Sequence, residues 1–474
     1  MPLWAFVALM LLATWSFVVL MLTPGIRWFF RRRIERLLAQ LSTRLAVDLS
    51  SFKLTRRQVL IDRLVHDPKV QAAAAAHANH SGEPLPVAWR RVDRYAREIV
   101  PAFNAYVYFR VGYALARAIA RTLFRVRIGY ADEAALRNIA SHSSLVFVIN
   151  HRSNMDYLLV SFLAAEHVTL SYAVGEWSRV WPLQQLVRSM GAFFVRRNSH
   201  DALYRAVLAR YVHMATEAGV TQAVFPEGGL TVDGRLGPPK FGLLDYMLKG
   251  FDERESEARR DVLFIPVGIN YDRVLEDRTQ LLKLDPHRPR VNRWRALRTI
   301  LAFNARNLWL ALRGRWYRYG YACVNFGTPI SMRAWCREHG LHFPSLNEEA
   351  RHREVTRVGT HLMRAIGDII PVLPVSLVAS VMLETPPAGC SESEFKAAVF
   401  ARLHALEAGG ARNYIPRQDR DYAFGVGLRM LVLRQLVTAD RGIYRRSPGA
   451  AQLLAYYANA IAHLPGSSAT LSPG

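Results

Sequence analysis

Cysteine is scarce in this sequence, and its spacing excludes two common structural roles. The chain has 474 residues but only three cysteines, which lie far apart: Cys323, Cys336 and Cys390. An odd number of scattered cysteines supplies neither a disulfide framework nor a metal cluster, so we expect a reducing compartment and no metal site. A chain of this length can bury a large core and hold more than one structural unit.

Acidic residues are also few, at 38 against 62 lysines and arginines, which gives a formal net charge of +24. Such an excess favours an anionic partner: a nucleic acid, an anionic membrane lipid, or an acidic or phosphorylated substrate. The sequence lacks zinc-finger spacing, RNP-like strings and tandem basic–aromatic motifs. We therefore expect no nucleic acid and rank an anionic membrane surface above it.

The first residues lack charge altogether. Leu3 to Leu22 is an uncharged run, long enough to cross a membrane as a helix, and Arg27 and Arg31–Arg33 follow it. Basic residues after the span favour a transmembrane signal anchor, residues 1–25, with a cytoplasmic body. A membrane-embedded hairpin and a shallow interfacial helix are the alternatives.

Residues 26–135 are rich in arginine, and we predict a helical, membrane-proximal region there, with a linker over the alanine-rich stretch 72–82. Val100 to Val126 interleaves aromatic and aliphatic residues with four arginines. This pattern is typical of an amphipathic helix that lies in a membrane interface. A helix packed on the protein body with solvated arginines explains the pattern equally well.

The central third alternates strand and helix. The predicted strands lie at 145–150, 167–173, 192–197, 221–225, 262–270 and 321–326, with helical patterns between most of them. This alternation predicts an α/β layered domain with a mostly parallel sheet, residues 136–345. A helical pattern dominates residues 346–474. In such sheets reacting groups gather at strand ends.

His151 and Asp156 follow the first of these strands. If His151 lies in the turn and Asp156 in the first helical turn, the carboxylate can fix the imidazole tautomer and leave the other ring nitrogen free to accept a proton. The alternative is a capping box, Ser153-x-x-Asp156, with no chemical role for His151.

Three further strand ends carry unusual residues. Arg196 and Arg197 end one strand. A guanidinium can bind a phosphate in bidentate fashion, through two parallel hydrogen bonds. Glu227 and Gly228 close another, where the acid could hold substrate hydroxyls. Pro266 lies in a fourth strand, where we expect an edge or a bulge. Each feature is also explained by an ordinary strand end or turn.

Together these motifs resemble the glycerolipid acyltransferase family, and most closely the membrane-bound bacterial glycerol-3-phosphate acyltransferases. The resemblance covers about residues 140–330 and extends to Ile370-Pro-Val-Leu-Pro and Leu454-Ala-Tyr-Tyr near the C-terminus. It implies the acyltransferase fold, no cofactor, and a bacterial inner membrane location with the catalytic domain on the cytoplasmic side. It also implies acyl-CoA or acyl-carrier protein as donor and glycerol 3-phosphate as acceptor.

The resemblance also implies residue roles. His151 would be the general base and Asp156 its orienter. Arg196, with Arg197, would bind glycerol phosphate, Glu227 and Gly228 would contribute to acceptor binding, and Pro266 would line the acyl-donor site.

One position departs from the family. Relatives commonly carry Arg-Ser after the Glu-Gly-x segment, and Leu230-Thr231 stands there. Arg235 and Lys240 lie nearby and are candidate replacements for the lost phosphate contact. The departure keeps lysophosphatidate, or another phosphorylated alcohol, open as the acceptor. An inactive membrane-anchored binding protein and a membrane-tethered nucleic-acid binder are rival hypotheses of other classes.

Overall fold

A mostly parallel β-sheet forms the centre of the protein. The computed structural model describes residues 51–139, 143–164, 169–175, 183–196, 199–254, 260–284 and 318–467. The strands are β1 (Arg125–Ala131), β2 (Ser143–Ile149), β3 (Ser171–Val174), β4 (Phe193–Phe194), β5 (Gln222–Val224), β6 (Asp261–Tyr271), β7 (Tyr321–Phe326), β8 (Ile330–Ser331), β9 (Cys390–Ser391), β10 (Val437–Asp440) and β11 (Ile443–Arg446).

The strand order in the main sheet is β1-β7-β6-β2-β5-β3-β4, with β8 added beside the start of β6. Five of the neighbouring pairs are parallel, and β6 is antiparallel to both β7 and β8. The predicted α/β class with a mostly parallel sheet is therefore confirmed. The carboxyl ends of β2, β5 and β6, the three central strands, lie at one edge, which is where parallel sheets place ligands. β9, β10 and β11 form a separate small sheet.

Helices cover both faces of the sheet. They are α1 (Ser51–Leu54), α2 (Arg57–Val65), α3 (Pro68–Ser81), α4 (Leu85–Ile99), α5 (Tyr113–Leu123), α6 (Glu133–Arg137), α7 (Asp156–Ala164), α8 (Leu183–Ser189), α9 (Ala202–Glu217), α10 (Gly242–Leu248), α11 (Asp277–Leu281), α12 (Met332–Glu338), α13 (Glu348–Asp368), α14 (Pro374–Glu384), α15 (Glu392–Ala408), α16 (Arg420–Leu433) and α17 (Ala451–Ala458). A π-helical turn, Val107–Gly112, leads into α5.

Two local predictions from the N-terminal half differ from the structure. The stretch 72–82, predicted as a linker, belongs mostly to α3, which Asp67 caps and Gly82 ends at a φ of 68°. Alanine favours helix, and Ala74 and Ala78 are buried against the helices around them. In addition β1 pairs with β7, so the sheet includes a strand that precedes the predicted domain start at 136.

The membrane-spanning prediction for Leu3–Leu22 lies outside the described residues. Within the described ranges, none of the helices combines the length and the apolar character that crossing a membrane requires.

Pro266 lies in the middle of the sheet, so the prediction of an edge or bulge was wrong. It pairs in register with Val148 of β2. On the other side of β6 the neighbour changes from β8, which pairs at 263–264, to β7, which pairs from 267 onward. Pro266 falls in the gap between them, where its missing N–H costs no ladder bond. Its carbonyl accepts from Gly327 at 2.9 Å.

Buried polar side chains join the sheet to the C-terminal region. Asn325 donates to the Ile369 carbonyl at 2.8 Å, and Asn270 donates to the Pro371 carbonyl at 2.9 Å. Asp272 accepts from the backbone N–H of Tyr321 at 2.8 Å and of Val375 at 3.1 Å. Burial raises the pKa of Asp272 to about 6. These bonds replace the partners that an isolated sheet would draw from water.

Candidate active site

His151 and Asp156 form a buried pair at the carboxyl end of β2. The strand ends at Ile149, and α7 begins at Asp156, so the histidine lies in the connecting turn. The Nδ1 atom of His151 lies 2.9 Å from Oδ2 of Asp156, and their side chains are 1 % and 0 % exposed. A carboxylate at Nδ1 selects the tautomer that leaves Nε2 free of a proton and able to accept one.

The carboxylate of Asp156 also holds the turn itself. Its Oδ2 atom accepts from the backbone N–H of Arg152 at 2.8 Å and of Ser153 at 3.0 Å, while the N–H of Met155 donates to Oγ of Ser153 at 3.2 Å. The bond from the Ser153 N–H to Asp156 is one half of a capping box, while the Asp156 N–H donates to the Ser153 carbonyl instead of to its hydroxyl. The capping role and the imidazole contact, which the sequence left as alternatives, are therefore performed by one carboxylate.

Aromatic side chains surround the imidazole. The ring of Phe225 lies 4.3 Å from the His151 ring, centroid to centroid, and Tyr157 meets it edge-on at 5.5 Å. Among the described residues, no hydrogen bond reaches Nε2 of His151. An imidazole nitrogen in this state can accept a proton.

Glu227 ties the histidine turn to the loop after β5. One carboxylate oxygen accepts from the backbone N–H of His151 at 2.7 Å, and the other accepts from Gly237 at 2.8 Å. Thr231 adds a backbone bond to the His151 carbonyl at 3.0 Å. The sequence suggested that Glu227 binds substrate hydroxyls, whereas in the structure both of its oxygens bind backbone amides. Burial raises the pKa of this partly buried acid to about 7, against the opposing effect of those two amides.

The raised pKa of Glu227 makes the stability of the folded protein depend on pH. The folded state binds this proton more tightly than the unfolded chain, whose value is near 4.5. The contribution of Glu227 to the free energy of unfolding, on the order of 3 kcal/mol, is fully present below about pH 4.5 and is lost as pH rises through about 7.

Glu227→Gln tests this expectation. Urea unfolding at pH 5 and pH 8 should show a smaller pH dependence in the variant than in the wild type. Its amide group would face a backbone N–H, so we also expect activity to fall about tenfold or more at every pH. An unchanged pH dependence of unfolding would contradict the titration of Glu227.

Sequence analysis missed Glu276 and Arg152, which also hold the turn. Glu276 accepts from Oγ of Ser153 at 2.8 Å and from the side chain of Asn154 at 2.9 Å. Arg152 is buried, donates to the Gly234 carbonyl at 2.7 Å and stacks over the ring of Tyr456, 5.3 Å from its centroid. The position of Arg152 directly after His151 could have indicated that it belongs to the site. The sequence around Glu276 contains no such indication.

Arg196 is placed apart from this turn. Its Nε and Nη2 atoms donate to the two oxygens of Glu98 at 2.9 and 2.5 Å, and its guanidinium lies against Tyr95 and Tyr204. The ion pair raises the pKa of Arg196. A guanidinium has five N–H groups, so Glu98 leaves the edge of Nη1 and Nη2 for a phosphate. Arg197 lies outside the described residues.

The remaining predicted residues border the Glu227 loop. Gly228 has a φ of 67°, and a Cβ there would lie 2.7 Å from Cδ of Lys240. Lys240 therefore extends across the glycine, while its backbone N–H donates to the Pro226 carbonyl at 2.6 Å. Arg235 is exposed, 3.7 Å from Asp233. The structure thus brings Glu227, Gly228 and Lys240 to the histidine turn and leaves Arg235 at the surface.

Across the ranges that the structure covers, no cluster of three histidine, cysteine, aspartate or glutamate side chains has the arrangement of a metal site. The His151–Asp156 contact has the geometry that general-base catalysis requires, with a carboxylate at one ring nitrogen of the histidine.

Comparison with known proteins finds two family models that match parts of this chain. Residues 133–270 match the family described as Acyltransferase, and residues 307–472 match the Glycerol-3-phosphate acyltransferase C-terminal region. The first match contains the His151 turn, Glu227 and Pro266. The second contains the segment that bonds to Asn270 and Asn325. Two separate parts of the chain are thus similar to acyltransferase families, and the second is similar to the glycerol-3-phosphate acyltransferases.

Curated relatives carry the same description. Proteins named glycerol-3-phosphate acyltransferase are 28 % identical over 78 % of this chain in Xylella fastidiosa, 29 % over 78 % in Xanthomonas campestris and 27 % over 87 % in Pseudomonas putida. These matches cover 42, 41 and 49 % of the relatives, so the chain spans less than half of their length.

One solved structure is also similar, the 1-acyl-sn-glycerophosphate acyltransferase from Thermotoga maritima. It is 18 % identical, covers 53 % of this chain and 77 % of its own, and has a TM-score of 0.30.

Proposed function

We propose that this protein transfers a long-chain acyl group from a thioester to the 1-hydroxyl of glycerol 3-phosphate, giving lysophosphatidate. The observation that carries the proposal is the buried His151–Asp156 pair, whose atoms lie 2.9 Å apart and whose Nε2 has no hydrogen bond from the residues that the structure describes. The family match supports the acceptor, because relatives are named for glycerol 3-phosphate.

The chemistry needs one base. The acceptor oxygen attacks the thioester carbonyl carbon while its proton passes to Nε2 of His151, and Asp156 stabilises the imidazolium that forms. The tetrahedral intermediate collapses, the carbon–sulfur bond breaks, and the sulfur leaves as a thiolate that takes the proton back from the imidazolium. A thiolate is a good leaving group, so neither a second acid nor a nucleophilic Ser or Cys is required.

The positive charge of the chain suits the substrates. Acyl-CoA and acyl-carrier protein are both acidic, and a net charge of +24 would steer either toward the enzyme. The donor is one of these two. Pro266 is assigned to the acyl-donor side by its family motif alone, since the residue itself is buried in the sheet.

Lys240 is our candidate for the phosphate contact that Leu230 cannot make. Its stem lies over Gly228, directly beside the Glu227 loop, and its ammonium is exposed. Lys240→Gln should raise the KM for glycerol 3-phosphate about tenfold and change kcat little, because a point charge on phosphate contributes mainly to binding. Lys249→Gln, an exposed lysine after α10, is the matched control. Equal KM values for both variants would remove Lys240 from the acceptor site.

The exposed face of α5 favours an anionic membrane as partner. α5 buries Ala116 and Ala120 against the body and exposes Leu115, Arg117 and Arg121 on its other face. An exposed stripe that mixes aliphatic side chains with arginines fits an anionic lipid surface. We place the enzyme at the bacterial inner membrane on the cytoplasmic side, where its product would enter the bilayer.

A second acceptor, lysophosphatidate, is favoured by one observation: Leu230 replaces the expected arginine. The test is acyl transfer from palmitoyl-CoA and from palmitoyl-carrier protein to labelled glycerol 3-phosphate and, separately, to labelled lysophosphatidate. Product from glycerol 3-phosphate alone supports the proposal. Product from lysophosphatidate alone assigns the chain to the second step instead, and product from neither with either donor would refute acyl transfer to these acceptors.

A further inference from the structure

Tyr271, the last residue of β6, places its hydroxyl against the carboxylate that orients His151. The Tyr271 oxygen lies 2.5 Å from Oδ1 of Asp156, and both side chains are completely buried. The Tyr271 ring lies 5.3 Å from that of Phe124, and its backbone N–H donates to Oδ1 of Asn270 at 2.9 Å. A phenylalanine would fill the same space, so the hydroxyl is the part of this residue that packing does not explain.

The two oxygens of Asp156 have different partners. Oδ2 accepts from the imidazole and from the backbone amides of Arg152 and Ser153. Among the described residues, Oδ1 accepts only from Tyr271. A bond from a neutral hydroxyl to an ionised carboxylate is short and strong, because the acceptor carries charge. Without it a buried carboxylate oxygen would have no donor.

Tyr271 remains protonated in this position. Burial, followed by the negative charge of Asp156, raises its pKa well above the ordinary value. The hydroxyl therefore acts as a donor throughout the pH range in which the enzyme folds, and it supplies Asp156 with a fixed dipole rather than a titrating charge.

We propose that Tyr271 is a positioning residue of the active site, which fixes the Asp156 carboxylate and limits its attraction for the proton that His151 takes up. This inference rests on the proposed role of His151 as the base. In the reaction the imidazolium must return its proton to the departing thiolate. A carboxylate that attracted that proton too strongly would slow this return, and the tyrosine bond reduces that attraction.

Other charged groups face the pair and stay in place when Tyr271 is changed. Glu227 binds the His151 amide, Arg152 lies beside Asp156 in the turn, and Glu276 binds Ser153 and Asn154. Their bonds run to the backbone or to other side chains of the turn, and none of these bonds uses Oδ1 of Asp156. Removal of the Tyr271 hydroxyl thus changes one contact of the carboxylate alone.

The experiment compares Tyr271→Phe with the wild type over pH 5–9. We expect kcat to fall about tenfold with little change in KM, and the acidic limb of the rate profile to move to higher pH by roughly one unit. Tyr211→Phe, a buried tyrosine of α9 that packs on Phe193, is the matched control and should leave the profile unchanged. A lower kcat with an unmoved profile would reduce Tyr271 to a packing role and overturn the proposal.

Site-specific incorporation of 3-fluorotyrosine at position 271 gives a second variant, for which we expect the acidic limb of the rate profile to move in the opposite direction. It keeps the shape, so it should fold even if Tyr271→Phe does not, and its more acidic hydroxyl donates more strongly. The acidic limb should then move to lower pH. Movement in the same direction as in Tyr271→Phe, or none, would contradict the proposal.

A readout without turnover separates this inference from the proposed function. The His151 ring can be titrated by NMR with labelled histidine, its signal identified by its absence from His151→Asn. The titration midpoint should rise in Tyr271→Phe. A moved midpoint in a protein that transfers no acyl group would uphold the tyrosine–aspartate–histidine coupling and refute only the acyltransferase role. An unmoved midpoint would overturn the coupling itself.

Discussion

His151→Asn should lower kcat/KM for acyl transfer to glycerol 3-phosphate by about a thousandfold, within the 10²- to 10⁴-fold range of general-base catalysis. Asparagine is smaller than histidine and its side-chain N–H can still donate to Asp156, but it cannot take a proton at neutral pH. The amide of residue 151 would still donate to Glu227, so the turn should persist. Labelled-product assays under initial-rate conditions measure the effect.

The matched control is His213→Asn. His213 is also buried and lies 3.2 Å from a carboxylate, Glu217, but on α9 in the helical layer. It should retain nearly full activity. Circular dichroism and urea unfolding of both variants would separate lost chemistry from lost fold. Product formation that persists in His151→Asn would remove this histidine from the reaction.

Asp156→Asn should lower kcat by a factor of about 10² to 10³ while the protein stays folded. The oxygen of asparagine can still accept from the Arg152 and Ser153 amides, so the helix start survives. The negative charge that stabilises the imidazolium is lost, and loss of an orienting carboxylate has cost a comparable enzyme about 10⁴-fold in kcat.

Glu276→Gln is the control for this charge removal. Glu276 contacts the same turn through Ser153 and Asn154 but does not touch the imidazole. We expect a loss below about tenfold, since a side-chain amide can keep one of these bonds. If the two variants were equally impaired, Asp156 would serve the turn rather than the base.

The sequence predicted those features that depend on local pattern. β7 was placed at its observed bounds and β6 within one residue at either end, because continuous apolar, β-branched runs between turn residues leave little alternative. The His151–Asp156 contact followed from the spacing and from the strand-to-helix transition between them. This contact could be predicted because both residues lie in one short turn, so the local sequence determines their geometry.

The parts that sequence reasoning missed depend on contacts between distant segments. Tyr271 lies 115 positions from Asp156, and Glu98 lies 98 positions from Arg196. The local sequence pattern around Tyr271 or Glu98 does not indicate which distant residue it contacts. The linker prediction for 72–82 was wrong for another reason. Alanine repeats are typical of linkers and of helices alike, and here the helix is stabilised by the burial of Ala74 and Ala78. Pro266 was misplaced because the switch of β6 from one neighbour to another is a property of the sheet.

Asn270, Asp272 and Asn325 have a consequence for how this protein can be divided. Their bonds run to the backbone of residues 369–375, and Gly268 lets that segment approach so closely that a Cβ would meet the Ile369 carbonyl oxygen at 2.6 Å. Cutting the chain between the sheet and α14 would leave an amide or a carboxylate stranded in the interior at each of these positions. The sheet should therefore not fold without the C-terminal helices: the two should unfold in one thermal transition and resist limited proteolysis together.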